Sequence, residues 1–247
     1  MMRSQIIHYE QVDSTNSEAW RWIDLASDAN AKQLEGTAIA AKQQTKGRGQ
    51  RGHTWQSDLG GLYLSVIVQP NISATHASQI TLWSAWGIAT ALNTTGANVR
   101  IKWLNDLLVD GRKLGGILTE TRIEAGLVTY AVIGIGINWL NTVPDGAIAL
   151  SDLATNITDL DRLTELVLGG VMQGRDRFAR EGIEPILSDY VTLLSERSVT
   201  TQHLGREHKG YISDITTTGD LVVIWEGSSQ PSIYRPGTFS LGYDSLG

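Results

Sequence analysis

Hydrophobic positions along the chain switch between two periods. In "DSTNSEAWRWIDLA" the residues Ala19, Trp22, Ile23 and Ala26 recur at helical spacing, which predicts a helix with one buried stripe. Thr15 followed by Glu18 three residues later has the form of a capping box at its start. "GTAIAA" and "GLYLSVIV" predict strands, so the glycine-rich stretch between them is a loop. "ITLWSAWGIATALN" predicts a second helix, apolar enough to be mostly covered, and "VRIKW" a strand. In "LLVDGRKLGGILTE" the pair Asp110-Gly111 lies between two apolar runs, a strong signal for a type I′ hairpin. "LVTYAVIGIGIN" predicts a further strand, and Leu160 to about Ser195 is helical again. Beyond Thr200 come short strands, "KGYISDI", "DLVVIWE" and "QPSIYRP", separated by "TTTG" and "GSS".

Hairpins dominate this order, which predicts an α+β fold: a mixed, largely antiparallel sheet with the helices gathered on one face. The expected division is a main domain over residues 1–197 and a small β-barrel over 198–247, docked on the main body because so few residues are marginal alone. With 247 residues and 41% hydrophobic content the chain can bury a sizeable core. A formal net charge of -6 argues against a protein-wide nucleic-acid or membrane surface. There are no cysteines, which excludes disulfides, thiolate metal sites and cysteine-based acyl transfer, and fits a reducing compartment. "MMRSQIIHYE" lacks the form of a signal peptide, and the longest apolar runs are too short to span a bilayer, so the expected setting is cytoplasmic.

Against that acidic background, "KGRGQRGHTW" concentrates Lys46, Arg48, Arg51 and His53 around Gly47, Gly49 and Gly52. Glycines expose backbone N–H groups to a ligand, and the guanidinium forks of Arg48 and Arg51 suit carboxylate or phosphate. The loop reads as an anion clamp, as a solvated surface loop, or as an RNA-contacting Arg-Gly segment. "KWLND" puts Lys102 at a strand end, where alternation would set Lys102 and Leu104 on one face and Trp103 and Asn105 on the other. In "GRKLGGI" Lys113 stands beside Gly115 and Gly116, as a ligand cation or a solvated hairpin cation. "GIGIN" lacks the third glycine and following helix of a dinucleotide fingerprint, and places the Asn138 amide at a strand end. "DSTN" brings Ser14, Thr15 and Asn16 to a helix N-terminus, as a cap or as the seat of a small polar ligand.

Taken in order, "DSTN", "QTKGRGQRGHTW", "KWLND", "GRKLGGIL" and "GIGIN" resemble the biotin–protein ligases, or biotin–acetyl-CoA-carboxylase ligases, across about residues 7 to 140. The resemblance implies that family's class II synthetase-like catalytic fold with a small C-terminal SH3-like barrel. It implies ATP and biotin as substrates with Mg²⁺, formation of biotinyl-5′-adenylate, and transfer to a lysine of the biotin carboxyl carrier protein. It makes Ser14, Thr15, Asn16 and Gln44 contacts to the ureido ring, and Arg48, Gly49 and Gln50 the loop segment closing on the ligand. Lys113 would face carboxylate and phosphate, with Gly115 and Gly116 beside biotin. Arg51, His53, Trp55, Lys102, Asn105 and Asn138 would form the nucleotide side, without a dedicated protein metal site. Asp106 would orient or deprotonate the incoming lysine.

Three positions depart from the commonest family pattern: Gln50 and His53 stand where arginines are frequent, and Leu104 where proline is usual. The first two lower the cationic charge near the phosphates, and the third removes a rigid residue before Asn105. With the resemblance starting near residue 7, no N-terminal helix-turn-helix domain and no DNA partner are expected, and the protein would be a monomer or homodimer. A lipoate–protein ligase of the same fold is the nearest rival; zero cysteines exclude the octanoyl transferases.

Overall fold

The computed structural model describes residues 5–27, 32–203 and 206–238. The end of the expected barrel, residues 239–247, and the N-terminal residues 1–4 lie outside the described residues.

Eight strands form the main sheet: β1 (Ile6–Val12), β2 (Ala38–Gln44), β3 (Leu62–Val68), the short β4 (Ile72–Ser73), β5 (Arg100–Lys102), β6 (Asp106–Val109), β7 (Arg112–Glu124) and β8 (Leu127–Ile137). Their order is β1-β2-β3-β8-β7-β6-β5, with β4 on β8. Every pairing is antiparallel except β1 with β2. The β6–β7 turn has Asp110 at φ 50° and Gly111 at φ 74°, the two positive values a type I′ hairpin requires. Ala125 and Gly126 repeat the device between β7 and β8, at φ 49° and 79°.

Strict alternation gives the central strands two apolar faces. On one face Leu64, Val66, Ile133 and Ile135 join the large core beneath α2 (Ser78–Asn93), α3 (Leu160–Glu181) and α4 (Glu184–Thr192). All of α2 is buried except Ser78, Thr90 and Asn93. On the other face Ile39, Ile67 and Val132 meet Ala19 and Ile23 of α1 (Thr15–Leu25). The expectation of helices on one face therefore fails for α1. Its stripe is too narrow to cover the second face, and the uncovered remainder holds a cavity.

The start of α1 also differs from the expected capping box. Ser14 is the N-cap and makes no side-chain cap bond. Glu18 instead accepts from the Tyr9 hydroxyl at 3.0 Å and pairs with Arg21 at 2.7 Å. The capping groups have been drawn into tertiary contacts.

The tail forms β9 (Ser198–His203), β10 (Arg206–Ile215), β11 (Leu221–Trp225) and β12 (Ser232–Tyr234). They make an antiparallel sheet in the order β12-β11-β10-β9, open over the described residues and not closed into a barrel. Ile212, Leu221 and Val223 belong to the large core, so this sheet is packed on the main body. Among the described residues no helix is long and apolar enough to cross a membrane.

Helices α2 and α3 cross at glycines. A Cβ on Gly170 would lie 2.7 Å from the Gly87 carbonyl oxygen, while one on its neighbour Gly169 would meet nothing. Gly170→Ala is expected to overpack the crossing at a cost of about 2 kcal/mol. Gly169→Ala should instead stabilise by roughly 0.5–1 kcal/mol through helix propensity. Urea denaturation of the two variants checks this; equal midpoints would show that the crossing does not depend on close backbone approach.

Candidate functional site

Four segments converge on a cavity of about 390 Å³ on the α1 face of the sheet. They are the N-terminus of α1, the glycine-rich loop after β2, the β5–β6 connection, and the adjoining parts of β7 and β8.

The polar end is built from hydrogen bonds. The Thr15 N–H and hydroxyl both donate to Gln44 Oε1, at 2.8 and 3.1 Å, and Gln44 Nε2 donates to Ser57 Oγ at 2.8 Å. Ser65 Oγ lies 2.7 Å from Thr15 Oγ1 and 2.6 Å from Asn16 Oδ1. Its single proton serves one of them at a time. Asn16 Nδ2 donates to Glu120 Oε2 at 2.9 Å. Ser14, Thr15, Asn16 and Ser65 are all buried, and the side chains of Thr15, Asn16 and Ser65 are held by these hydrogen bonds rather than by solvent.

Bare backbone makes the room. A Cβ on Gly134 would stand 2.2 Å from Asn16 Oδ1, and one on Gly136 would stand 2.5 Å from the Trp55 indole. The glycines of "GIGIN" thus admit Asn16 and Trp55 to the surface of β8. Asn138 itself does not line the cavity: it is buried, its Nδ2 donating to the Lys113 carbonyl at 3.4 Å. Gly115 is likewise not in the lining, whereas Gly116 is.

The glycine-rich loop closes on itself through the Arg48–Thr54 bridge, Gly49 N–H to His53 O at 2.7 Å and Trp55 N–H to Gly47 O at 3.0 Å. A Cβ on Gly47 would lie 2.3 Å from the Trp55 carbonyl oxygen, and Arg51 takes φ 56° at the tip. This fold points Arg48, Gly49, Gln50, Arg51, His53 and Trp55 at the cavity. The Trp55 Nε1 is buried with no hydrogen-bond partner among the described residues.

The cations come with partners. Arg48 forks onto Glu120, NH1 to Oε1 and NH2 to Oε2, both at 3.0 Å. Lys113 Nζ lies 2.8 Å from Asp106 Oδ1 and 5.6 Å from the centre of the Trp55 ring. Lys102, Trp103, Asn105 and Asp106 line the opposite wall. The expected alternation of "KWLND" does not apply, because β5 ends at Lys102 and the chain turns through 103–105. Leu104 faces the large core, the Trp103–Leu104 peptide is cis, and Asn105 Nδ2 donates to the Ile117 carbonyl at 2.9 Å. From behind, the Tyr190 hydroxyl of α4 donates to the Leu104 carbonyl at 2.9 Å. Burial, and then the Asp106 charge, push the Tyr190 phenol well above its ordinary pKa, so it stays a neutral donor.

Three side chains at the site fall outside every motif: Ser57, Ser65 and Glu120. Ser65 had a signal, as the one hydroxyl in the otherwise apolar run "LYLSVIV" apart from Tyr63. Glu120, in the alternating strand "ILTETRIE", had none.

This geometry can hold an elongated ligand with a hydrogen-bonding head between Thr15 and Asn16 and an anionic body among Arg48, Lys102 and Lys113. Residues 9–138 match the biotin/lipoate A/B protein ligase family, more than half of the chain. The chain belongs to that family. Among its relatives, the bifunctional ligase/repressor BirA of Bacillus spizizenii is 34% identical over 160 residues, 64% of this chain and 47% of the relative. The biotin–[acetyl-CoA-carboxylase] ligase of Paracoccus denitrificans is 32% identical over 142 residues, 56% of each. The chain thus spans about half the length of these curated relatives. Over the whole family fold, a point mutant of the Aquifex aeolicus biotin protein ligase, solved with biotin, superposes with a TM-score of 0.77 at 24% identity, covering 98% of this chain and 99% of that one.

The start of α1 carries an acid-sensitive element. Asp13 lies just ahead of α1, with Arg21 donating to both its carboxylate oxygens at 3.0 and 2.6 Å. The Arg21 hydrogen bond, helped by Ser14 N–H, holds the Asp13 carboxyl below the usual carboxylate range. The stability from a depressed carboxylate is in place above its unfolded pKa and is lost as pH falls through the folded value. Melting temperatures taken from about pH 6 to about pH 3 should therefore fall less steeply in Asp13→Asn than in the wild type. An identical acid slope would remove Asp13 from the account.

Proposed function

We propose that this chain is an ATP-dependent biotin–protein ligase. It joins the biotin carboxylate to the α-phosphorus of ATP, releases pyrophosphate, and passes the acyl group to a lysine of the biotin carboxyl carrier protein of acetyl-CoA carboxylase. The observation that carries the reading is the buried head of the cavity, where Thr15, Asn16, Gln44 and Ser65 form one connected set. A ureido ring offers two N–H donors and a carbonyl acceptor to such a set; a dithiolane offers neither. The biotin- and ATP-bound Aquifex ligase shares the fold, which supports the same two substrates here.

The remaining residues divide by charge. Carboxylate and triphosphate repel each other, and Arg48, Lys102 and Lys113 offset that repulsion as the two are brought together. Arg48, Gly49 and Gln50 cover the mixed anhydride and keep water from it. Trp55, with its unpartnered indole N–H, Arg51, His53 and Asn105 take the nucleotide. Asn138, lying behind the wall, positions Lys113 through its carbonyl instead of touching the ligand. Gly115 acts in the same indirect way, since a Cβ there would lie 2.6 Å from the Gly136 carbonyl oxygen. Asp106 is released from Lys113 when that lysine turns to the phosphate, and can then orient the acceptor lysine, whose ordinary pKa of about 10.4 leaves it protonated near neutral pH.

Among the described residues no three acidic, histidine or cysteine side chains gather to hold a metal, and Asp106 is the lining's carboxylate. That donor set suits a magnesium ion that arrives on the triphosphate, keeps its waters and neutralises phosphate charge. Residues 198 onward are taken as a separate small unit, whose four antiparallel strands have the order from which a small SH3-like barrel could close.

Pyrophosphate exchange into ATP should require biotin. Lipoate lacks the head group that the buried donors and acceptors demand, so it should be used far less well. Equal exchange with lipoate would overturn the assignment in favour of a lipoate ligase. Within the same assay, Lys113→Ala should slow adenylate formation roughly a hundredfold, because it removes charge stabilisation developed at the reacting phosphate. A rate within twofold of wild type would make Lys113 an ordinary hairpin cation paired with Asp106.

A further inference from the structure

We infer that Glu120 is a positioning residue that couples the polar head of the cavity to the glycine-rich loop. Its carboxylate receives four donors from two separate elements. Asn16 Nδ2 at 2.9 Å and Trp20 Nε1 at 3.1 Å come from α1; the two Arg48 nitrogens, each at 3.0 Å, come from the loop. Three of the four converge on Oε2 and one Arg48 nitrogen takes Oε1, so both carboxylate oxygens are engaged and Oε2 is shared between α1 and the loop.

Two consequences follow from that sharing. First, Glu120 fixes the Asn16 amide: with Nδ2 turned to the carboxylate, Oδ1 faces Ser65 and the bare backbone of Gly134. Second, the charged donor on Glu120 among the described residues is Arg48, and the fork gives that guanidinium one orientation. Arg48 lines both the main cavity and a second hollow beneath the loop, and Glu120 lines the second. The pair therefore stands between the two hollows and sets which of them the arginine faces. As an isolated ion pair it would be worth little, since the Arg48 side chain is 43% exposed and that of Glu120 27%. Its effect comes from being anchored to the buried Asn16, so that the head group and the loop share one acceptor.

This inference rests on the ligase reading for its kinetic test, but one of its arms does not. Glu120→Gln keeps the shape of the side chain and an acceptor oxygen for Asn16 and Trp20, and loses the charge that holds Arg48. In the unliganded full chain, amide exchange across residues 46–53 should quicken about tenfold in Glu120→Gln. With ATP and biotin, loss of preformed biotinyl-adenylate should quicken by a similar factor of about ten, and the KM for biotin should rise more than kcat falls. Arg48→Ala should show the same faster loss, and the double variant should be no worse than Arg48→Ala alone, because Glu120 acts through that residue. Effects that multiply in the double variant, or loop exchange and adenylate loss both within twofold of wild type, would overturn the inference. A wild type without biotin-dependent exchange would refute the ligase reading; the unliganded loop measurement would still decide the role of Glu120.

Discussion

The site depends on two absent side chains. Strand β8 is apolar and fully packed on its lower face, yet on the upper face Gly134 and Gly136 leave the backbone bare. Asn16 and Trp55 occupy the space, approaching to distances that no Cβ would permit. One comes from the start of α1 and the other from the end of the glycine-rich loop, so the two walls of the cavity are set by the same strand. Glycine in a strand interior weakens it, and the pairing of β8 with both β3 and β7 along its length offsets that weakness. A rigid floor and two docked walls are what a site needs to hold hydrogen-bonding groups without solvent.

The charges around this floor follow a common arrangement. Arg48 rests on Glu120 and Lys113 on Asp106. An anionic ligand therefore does not meet naked cations: it takes Lys113 from Asp106 by exchange, and meets Arg48 still forked on Glu120. Such an exchange lowers the desolvation cost of keeping cations half-buried, and it makes binding depend on geometry as well as charge. The local pairs, not the overall field of a chain of net charge -6, decide which charges face the cavity.

What could be read from the chain was whatever local rules govern. Asp110-Gly111 specified its turn because a type I′ hairpin needs positive φ at two neighbouring residues, and only a few residue pairs supply that. The apolar run of α2 announced a covered helix for the same reason of local content. The placement of α1 was not legible, since an amphipathic stripe says that a face is buried but not which side of a sheet buries it. Likewise "GIGIN" showed that something must come close to β8, while the identity of the visitor depended on residues some 120 and 80 positions away in sequence. Glu120 was invisible for a plainer reason: a glutamate in an alternating strand looks like a solvated residue until its four donors are in place. The motifs located most of the lining; the interactions that aim it came from ordinary positions.

The turn through 103–105 carries that distinction furthest. Leu104 lacks the fixed φ that a proline would impose there, so the turn must be held by its surroundings. The Tyr190 hydroxyl takes the Leu104 carbonyl from α4, and the Trp103 indole donates to the Gly219 carbonyl at 3.2 Å from the β10–β11 connection. Ser78 and Gln79 at the start of α2 grip the same connection through the carbonyls of Thr218 and Thr217. The wall bearing Lys102, Asn105 and Asp106 is therefore braced at once by α4 and by the second sheet. Rigidity that a single residue could have supplied locally is supplied here by tertiary structure, so this wall of the cavity is only as well defined as the packing of the C-terminal strands on the main body.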